Sequence, residues 1–381
     1  MRRTAVFLSK SILFLLLAVV AVYLILAASA FVAGLLQYRR NAAAQDKKLA
    51  WLTGEFYPSY APVGEDVHAA FDLSAELSGG IRLNEVSFLA THNSYQPRAA
   101  LPYRLLLKAV SILPRVPVDS RLSAFEMDGL TEQLEHGIRS LELDVEAVEK
   151  EGGLSFIVTH YLLDNRSSCQ DFEKALEELK LWSEHNPRHL PLIILIEPKT
   201  IKVPLGGMKS FDAECAAEFD GVIRESLKER LLAPGEVLGS YASFAELRAD
   251  DGWPLLEDCL GRILFVLHPC PATDGYIGMD RSIRTQAMFP CLRYDGIREE
   301  YASFILDNNP ESAANHHAEV VEELRLMVRT RADDYPEYSG ARYASADRCG
   351  AQIVTTDYPP RDVRRDEPVW DFGGYTVRLR G

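Results

Sequence analysis

Four apolar runs in this chain end in side chains that carry charge or ligate metals. Phe88-Leu89-Ala90-Thr91 runs into His92-Asn93-Ser94-Tyr95. Leu141-Glu142-Leu143-Asp144-Val145 alternates, so a two-residue strand period sets Glu142 and Asp144 on one face and the leucines on the other. A third run ends in Thr159-His160, and the all-apolar stretch Leu192 to Ile196 ends in Glu197-Pro198-Lys199. Carboxylates aimed into a core are costly unless paired or bound to a cation. Three of them with an asparagine carbonyl form a hard oxygen set, suited to Ca²⁺ or Mg²⁺ and not to zinc. Taken singly, each carboxylate reads as a salt-bridged strand residue and each histidine as a hydrogen-bonded core residue. Four consecutive strand ends of this kind point to a site.

The elements that must position these residues alternate. Candidate strands are 85–91, 139–145, 154–159, 192–197, 262–267, 303–306, 325–330 and 352–356; helical spacing with charged outer faces marks 170–185, 212–231 and 312–325 between them. Eight strands alternating with helices imply an α/β protein with a parallel sheet, and eight closes a (β/α)8 TIM-type barrel, regular or distorted. A doubly wound open sheet is the alternative. The barrel reading requires functional side chains at the C-terminal strand ends, where these residues stand. His136, His185 and His189 fall on helices or helix ends and read as surface residues; His268 is undecided.

The N-terminus sets the compartment. Residues 11–36 contain no charge, and a bilayer core takes about 20 apolar residues in a helix. "AASA" at 27–30 resembles a signal cleavage site, but signal h-regions span only about 7–15 residues, so an uncleaved anchor is favoured over a cleaved, secreted form. The layout is then a cytoplasmic 1–10, a transmembrane anchor (or signal peptide) over 11–36, a linker over 37–80 and a catalytic barrel over 81–381 outside the cytoplasm. The formal charge of −14, with no polybasic run, argues against nucleic acid as a partner. The six cysteines form no CxxC pair; Cys270–Cys291 is the first disulfide to test, against an equal reading of buried free thiols.

With those residues in place, the chain resembles the bacterial-type calcium-dependent phosphoinositide-specific phospholipase C family of the PLC-like phosphodiesterase superfamily. The matching stretches are 90–96 (ATHNSYQ), 130–146 (LTEQLEHGIRSLELDVE), 158–162 (VTHYL), 195–199 (LIEPK), 328–334 (VRTRADD) and 349–359 (CGAQIVTTDYP). The resemblance implies Asn93, Glu142, Asp144 and Glu197 as ligands of Ca²⁺, with Mg²⁺ the lesser alternative. It implies His92 and His160 flanking the scissile phosphate, Lys199 as a phosphate-binding cation and Arg329 as a weaker candidate for that work. Calcium-independent relatives carry an arginine at the metal position; two acidic residues on the second strand favour the metal-dependent branch.

The chemistry implied is in-line attack of the inositol 2-hydroxyl on phosphorus, releasing diacylglycerol and an inositol cyclic phosphate. His92 would stabilise the phosphorane or act on the leaving group with His160 as partner, and Glu197 would double as ligand and base. The few basic residues at strand ends, Lys199, Arg329 and Arg331, lean toward plain phosphatidylinositol. The enzyme would be a monomer held at its phospholipid substrate by the N-terminal helix. Glycerophosphodiester phosphodiesterase chemistry, which usually carries a His-Arg-Gly signature at the first strand, and sphingomyelinase D chemistry are alternatives. So, from another class, is a non-catalytic membrane-anchored Ca²⁺-binding module.

Overall fold

The structure is a computed structural model that describes residues 2–112, 119–160, 166–199, 207–361 and 368–380. Tyr161 and Leu162 of the 158–162 motif lie outside the described residues. Eleven strands form one sheet: β1 Val86–Thr91, β2 Ser140–Lys150, β3 Gly153–Val158, β4 Leu192–Pro198, β5 Met208–Lys209, β6 Ile263–Leu267, β7 Met288–Leu292, β8 Phe304–Leu306, β9 Met327–Arg331, β10 Ile353–Thr356 and β11 Val377–Leu379. Eight of them pair in parallel in the order β1-β2-β4-β6-β7-β8-β9-β10, and β10 returns to β1, so the sheet closes into a TIM-type barrel.

The expected strand count is met with one exchange of members. The 154–159 run is not a barrel strand. It forms β3, which folds back antiparallel on the long β2 through Gly152-Gly153, both at positive φ that favours glycine. The missing barrel strand is β7, whose Pro290 and Cys291 hide it from a β-propensity reading. β11 adds an antiparallel edge beside β1.

Helices cover the barrel. α1 is Arg2–Trp51, α2 Leu73–Gly79, α3 Leu101–Val110, α4 Leu130–Glu135 and α5 Phe172–His185. α5 shows why these segments coil: Asp171 caps it by accepting from the Lys174 amide at 3.2 Å, and Phe172, Ala175, Leu176, Leu179 and Trp182 form one buried stripe. Phe172 stacks on Phe219 with ring centroids 4.4 Å apart, and truncating it to alanine would cost about 3–5 kcal/mol.

Residues 37–80, expected as a linker, are instead folded onto the barrel. Asn41, Gln45, Leu49 and Leu52 form a buried stripe at helical spacing, and Tyr57, Ala69 and Leu73 join the core. Over 13–36 the same helix carries apolar residues on all sides, mostly exposed, so one helix passes from an all-round apolar pattern to a one-sided one. All six cysteines are free thiols, and Cys270 and Cys291 are not bonded.

Candidate active site

Each site residue is placed by the register of the barrel. Asp144 of β2 lies beside Glu197 of β4, and the Lys199 amide continues the ladder to the Val145 carbonyl at 2.8 Å. Thr159 N–H donates to the Asp144 carbonyl at 3.0 Å, which sets His160 beside β2 although β3 is no barrel strand. After β1 the chain turns at Asn93, whose φ of 47° lies in the left-handed region that asparagine tolerates better than most residues. That turn lets the Ser94 hydroxyl accept from the Glu142 amide at 2.8 Å, fixing the β1 end against β2.

Three carboxylates converge here. One oxygen each from Glu142, Asp144 and Glu197 lies within 4.8 Å of the others. Glu142 and Asp144 are fully buried, and Asn93 is buried next to them. Asp144 Oδ2 accepts from Tyr95 at 2.7 Å and pairs with Lys199 at 2.8 Å, whereas the buried Oδ1 has no hydrogen-bond partner among the described residues. Burial, with Glu197 and Glu142 alongside, pushes the Asp144 carboxyl up to about 7. An orphaned buried oxygen in a crowd of like charges fits a hard divalent cation, and Glu142, Asp144, Glu197 and Asn93 are the residues that would hold it.

The remaining expected residues gather round this cluster. His92 Nε2 stands 3.6 Å from Glu142, and His160 Nε2 stands 3.9 Å from Asp144. Lys199 bridges Asp144 and Glu197, reaching Glu197 Oε1 at 2.5 Å. Arg329, buried on β9, donates to Glu142 Oε2 and to Asn308. Burial works against ionisation of Glu197, but His268 and Lys199 outweigh it and hold the carboxylate well below the usual range. Glu197 is therefore a weak proton acceptor and suits the ligand role better than the base role.

Sequence reasoning missed Asp357. Its buried carboxylate lies 2.9 Å from His92 Nδ1, accepts from Arg331 at 3.0 Å and takes the Tyr335 amide at 2.8 Å. Burial and Arg331 lower the His92 pKa, but Asp357 and Glu142 outweigh them, so His92 is a stronger base than an ordinary histidine. Asp357 directly follows β10, so the strand-end rule itself marks it. His268 follows β6 in the same way: buried, it stands 3.9 Å from Glu142 and 3.6 Å from Glu197. His189, expected on the surface, is buried, with Nδ1 on the Leu190 carbonyl at 2.6 Å and Nε2 on Ser183 at 2.7 Å.

The closed parallel barrel thus gathers an acidic cluster, His92 at the end of β1 and His160 beside β2 at one mouth, an arrangement that fits a phosphodiesterase of the PLC-like type. Residues 156–381 match the family model for phosphoinositide phospholipase C, Ca²⁺-dependent, and the chain belongs to that family, whose members are phosphoric diester hydrolases. The match carries His160, Glu197, Lys199 and Arg329; His92, Asn93, Glu142 and Asp144 precede it. Among solved structures, the Ca²⁺-dependent phosphatidylinositol-specific phospholipase C of Streptomyces antibioticus is 19% identical with a TM-score of 0.52, covering 73% of this chain and 95% of that one. The calcium-dependent phosphoinositol-specific phospholipase C of a Pseudomonas species, solved in apo form with myoinositol, is 17% identical with a TM-score of 0.54, covering 81% of this chain and 98% of that one. At these identities the two show a shared fold. A search of curated protein sequences finds no match.

Proposed function

We propose that this enzyme cleaves phosphatidylinositol-type lipid to diacylglycerol and an inositol cyclic phosphate, while anchored in a membrane by α1 with its barrel outside the cytoplasm. The observation that carries the chemistry is the pairing of His92 with Asp357 beside the three carboxylates. Asp357 accepts the Nδ1 proton, which leaves the His92 Nε2 lone pair facing the cluster to take the proton of the inositol 2-hydroxyl. His160, on the Asp144 side, returns a proton to the glycerol oxygen as its bond to phosphorus breaks. This replaces the expectation that His92 serves the leaving group and Glu197 the base. Asn93, Glu142, Asp144 and Glu197 would hold a divalent cation, which would neutralise charge at phosphorus and lower the pKa of the attacking hydroxyl.

Lys199, Arg329 and Arg331 are each already held by carboxylates: Lys199 by Asp144 and Glu197, Arg329 by Glu142, Arg331 by Asp334 and Asp357. That supports an inositol ring without further phosphates. With Asp144 and Glu197 engaged by a cation, Lys199 would turn to the scissile phosphate, while the buried Arg329 keeps hold of Glu142. The uninterrupted helix through 27–30 and its docking on the barrel support an anchor over a cleaved signal.

The test uses the full chain in detergent with phosphatidylinositol, first with Ca²⁺ and then with chelator, products being followed by phosphorus NMR. A cyclic inositol phosphate formed only with Ca²⁺ is expected. No turnover despite Ca²⁺ binding overturns the substrate assignment.

A further inference from the structure

We propose that Glu146, with Thr159 beside it on the β2–β3 hairpin, is a specificity-determining contact for the headgroup, binding a ring hydroxyl other than the one that attacks phosphorus. This rests on the reading of the substrate as a phosphatidylinositol-type lipid.

The placement comes from strand register. The ladder between β2 and β4 ends where Val145 lies beside Pro198, whereas β2 continues to Lys150. Residues beyond Val145 therefore project past the barrel on the side where its strands end, and β3 holds them there. The two-residue period that aligns Glu142 with Asp144 puts Glu146 on the same face, about 7 Å farther out. β3 contributes to that face as well. Ile157 lies opposite Glu146, and the Thr159 amide, donating to the Asp144 carbonyl at 3.0 Å, sets Thr159 opposite Asp144. The other face of the hairpin is committed to packing: Phe156, opposite Ala147, meets Phe219 edge-on with centroids 4.7 Å apart. Glu146 and Thr159 thus share the face that carries the carboxylates.

What marks the pair is the lack of partners. Each residue is only 3% exposed, yet Glu146 Oε2 and Thr159 Oγ1 make no hydrogen bond among the described residues. Asp144 Oδ1 is orphaned on the same face, but the expected cation accounts for it. Ser155 Oγ, also without a partner, lies farther out. Native proteins satisfy nearly all their buried polar atoms, and leaving one unpaired is costly. A row of such oxygens leading away from the carboxylate cluster is the lining of a polar ligand.

The ligand's chemistry follows from charge. One carboxylate and one hydroxyl are too few oxygens for a second cation. A phosphate would meet the carboxylates of Glu146 and Asp144, and the neighbouring cation, Lys199, is already held by Asp144 and Glu197. A neutral polyol fits. Each of its hydroxyls both donates and accepts, so it suits a carboxyl oxygen and a threonine hydroxyl alike. With the attacking hydroxyl beside His92, the far edge of the ring is what spans the step of about 7 Å to Glu146. A site built to hydrogen-bond a hydroxyl discriminates against an analogue that lacks it.

The experiment measures kinetics of the full chain in detergent with Ca²⁺. The substrates are phosphatidylinositol and analogues in which one ring hydroxyl other than the 2-hydroxyl is replaced by hydrogen. Glu146→Leu should lose about 10–100-fold in kcat/KM on phosphatidylinositol, and Glu146→Gln, which keeps an acceptor oxygen, should retain most of it. Ca²⁺ affinity by calorimetry should be unchanged in both. For the analogue missing the hydroxyl that Glu146 binds, wild type and Glu146→Leu should turn over alike. If wild type and Glu146→Leu cleave phosphatidylinositol equally well, the subsite is overturned and the substrate reading stands. Losses that add for every analogue have the same meaning, as does weakened Ca²⁺ binding in Glu146→Leu, which would assign Glu146 to the metal. No cleavage of phosphatidylinositol by wild type overturns the substrate reading itself, and the inference with it.

Discussion

His92 and Asp357 stand 265 residues apart in sequence and 2.9 Å apart in the barrel, imidazole Nδ1 to carboxylate oxygen. Closure of β10 onto β1 creates this contact, through the register that pairs Thr91 with Thr356. In Asp357→Asn the amide oxygen keeps the Tyr335 amide while its NH₂ faces the ring, which favours the tautomer with its proton on Nε2. We expect kcat to fall by about 10²–10⁴-fold with KM and Ca²⁺ affinity little changed. Equal losses in kcat and Ca²⁺ affinity would instead show that Asp357 merely supports the metal site.

Glu142 serves two positive groups, Arg329 and the expected cation. Arg329 and Glu142 are 2% and 1% exposed, so removing one charge strands the other in the core. In chelator, Glu142→Gln should destabilise the fold by about 3–5 kcal/mol, read from urea unfolding. Wild type should gain about 2.7 kcal/mol when Ca²⁺ stands about 100-fold above its Kd, and the variant should gain nothing. A variant that still responds fully to Ca²⁺ would remove Glu142 from the ligand set.

Lys199 competes with the metal for two of its carboxylates. Asp144 and Glu197 keep it protonated despite burial, at 2.8 and 2.5 Å. Unit charges about 4 Å apart interact by about 4 kcal/mol at an effective dielectric near 20, so a small share of this suffices for a tenfold effect. Lys199→Met should bind Ca²⁺ about tenfold more tightly by calorimetry and yet turn over more slowly, because the scissile phosphate loses its cation. Weaker Ca²⁺ binding would mean that Lys199 organises the ligands and does not oppose the ion.

The site was legible because strand-end residues are local in sequence: an apolar run followed by His92-Asn93, or by Glu197-Pro198-Lys199, displays its chemistry without any tertiary information. Barrel closure is not local. Asp357 follows Ile353–Thr356 as openly as Glu197 follows β4, but a lone aspartate before Tyr-Pro also reads as a turn residue until β10 is set beside β1. β3 was misplaced for a similar reason. Its apolar pattern is that of any strand, and only its antiparallel return on β2 separates it from the barrel set. The docked half of α1 stayed hidden because Asn41, Gln45 and Lys48 look like solvent residues; the partners of Gln45 and Lys48, namely Asp171, Glu132 and Glu178, lie more than 80 positions away.

His189 illustrates the same blindness and carries a pH signature. It follows a helix end in sequence, yet it is buried with its Nδ1 proton on Leu190 and its Nε2 accepting from Ser183. Burial, reinforced by Arg139 and Arg230, outweighs the Leu190 hydrogen bond and pushes its pKa down to about 4. The folded value lies below the unfolded one, near 6.5, so the unfolded chain takes the proton first. The stability held through this residue is therefore complete above about pH 6.5 and is lost as pH falls toward about 4. Between about pH 7.5 and pH 5 the loss comes to about 2 kcal/mol for the fully buried ring. Burial raises Asp220 to about 6 and Glu146 to about 7, and with its carboxylate neighbours Asp144 to about 7, which works in the opposite direction over the same range, so the whole-protein profile mixes several groups. The difference between wild type and His189→Gln isolates the histidine. The variant should be less stable at neutral pH, through its lost Ser183 and Leu190 bonds, and should close that gap by about 2 kcal/mol at pH 5 in urea unfolding. Parallel pH profiles for the two proteins would show that His189 is protonated as readily in the fold as in the unfolded chain.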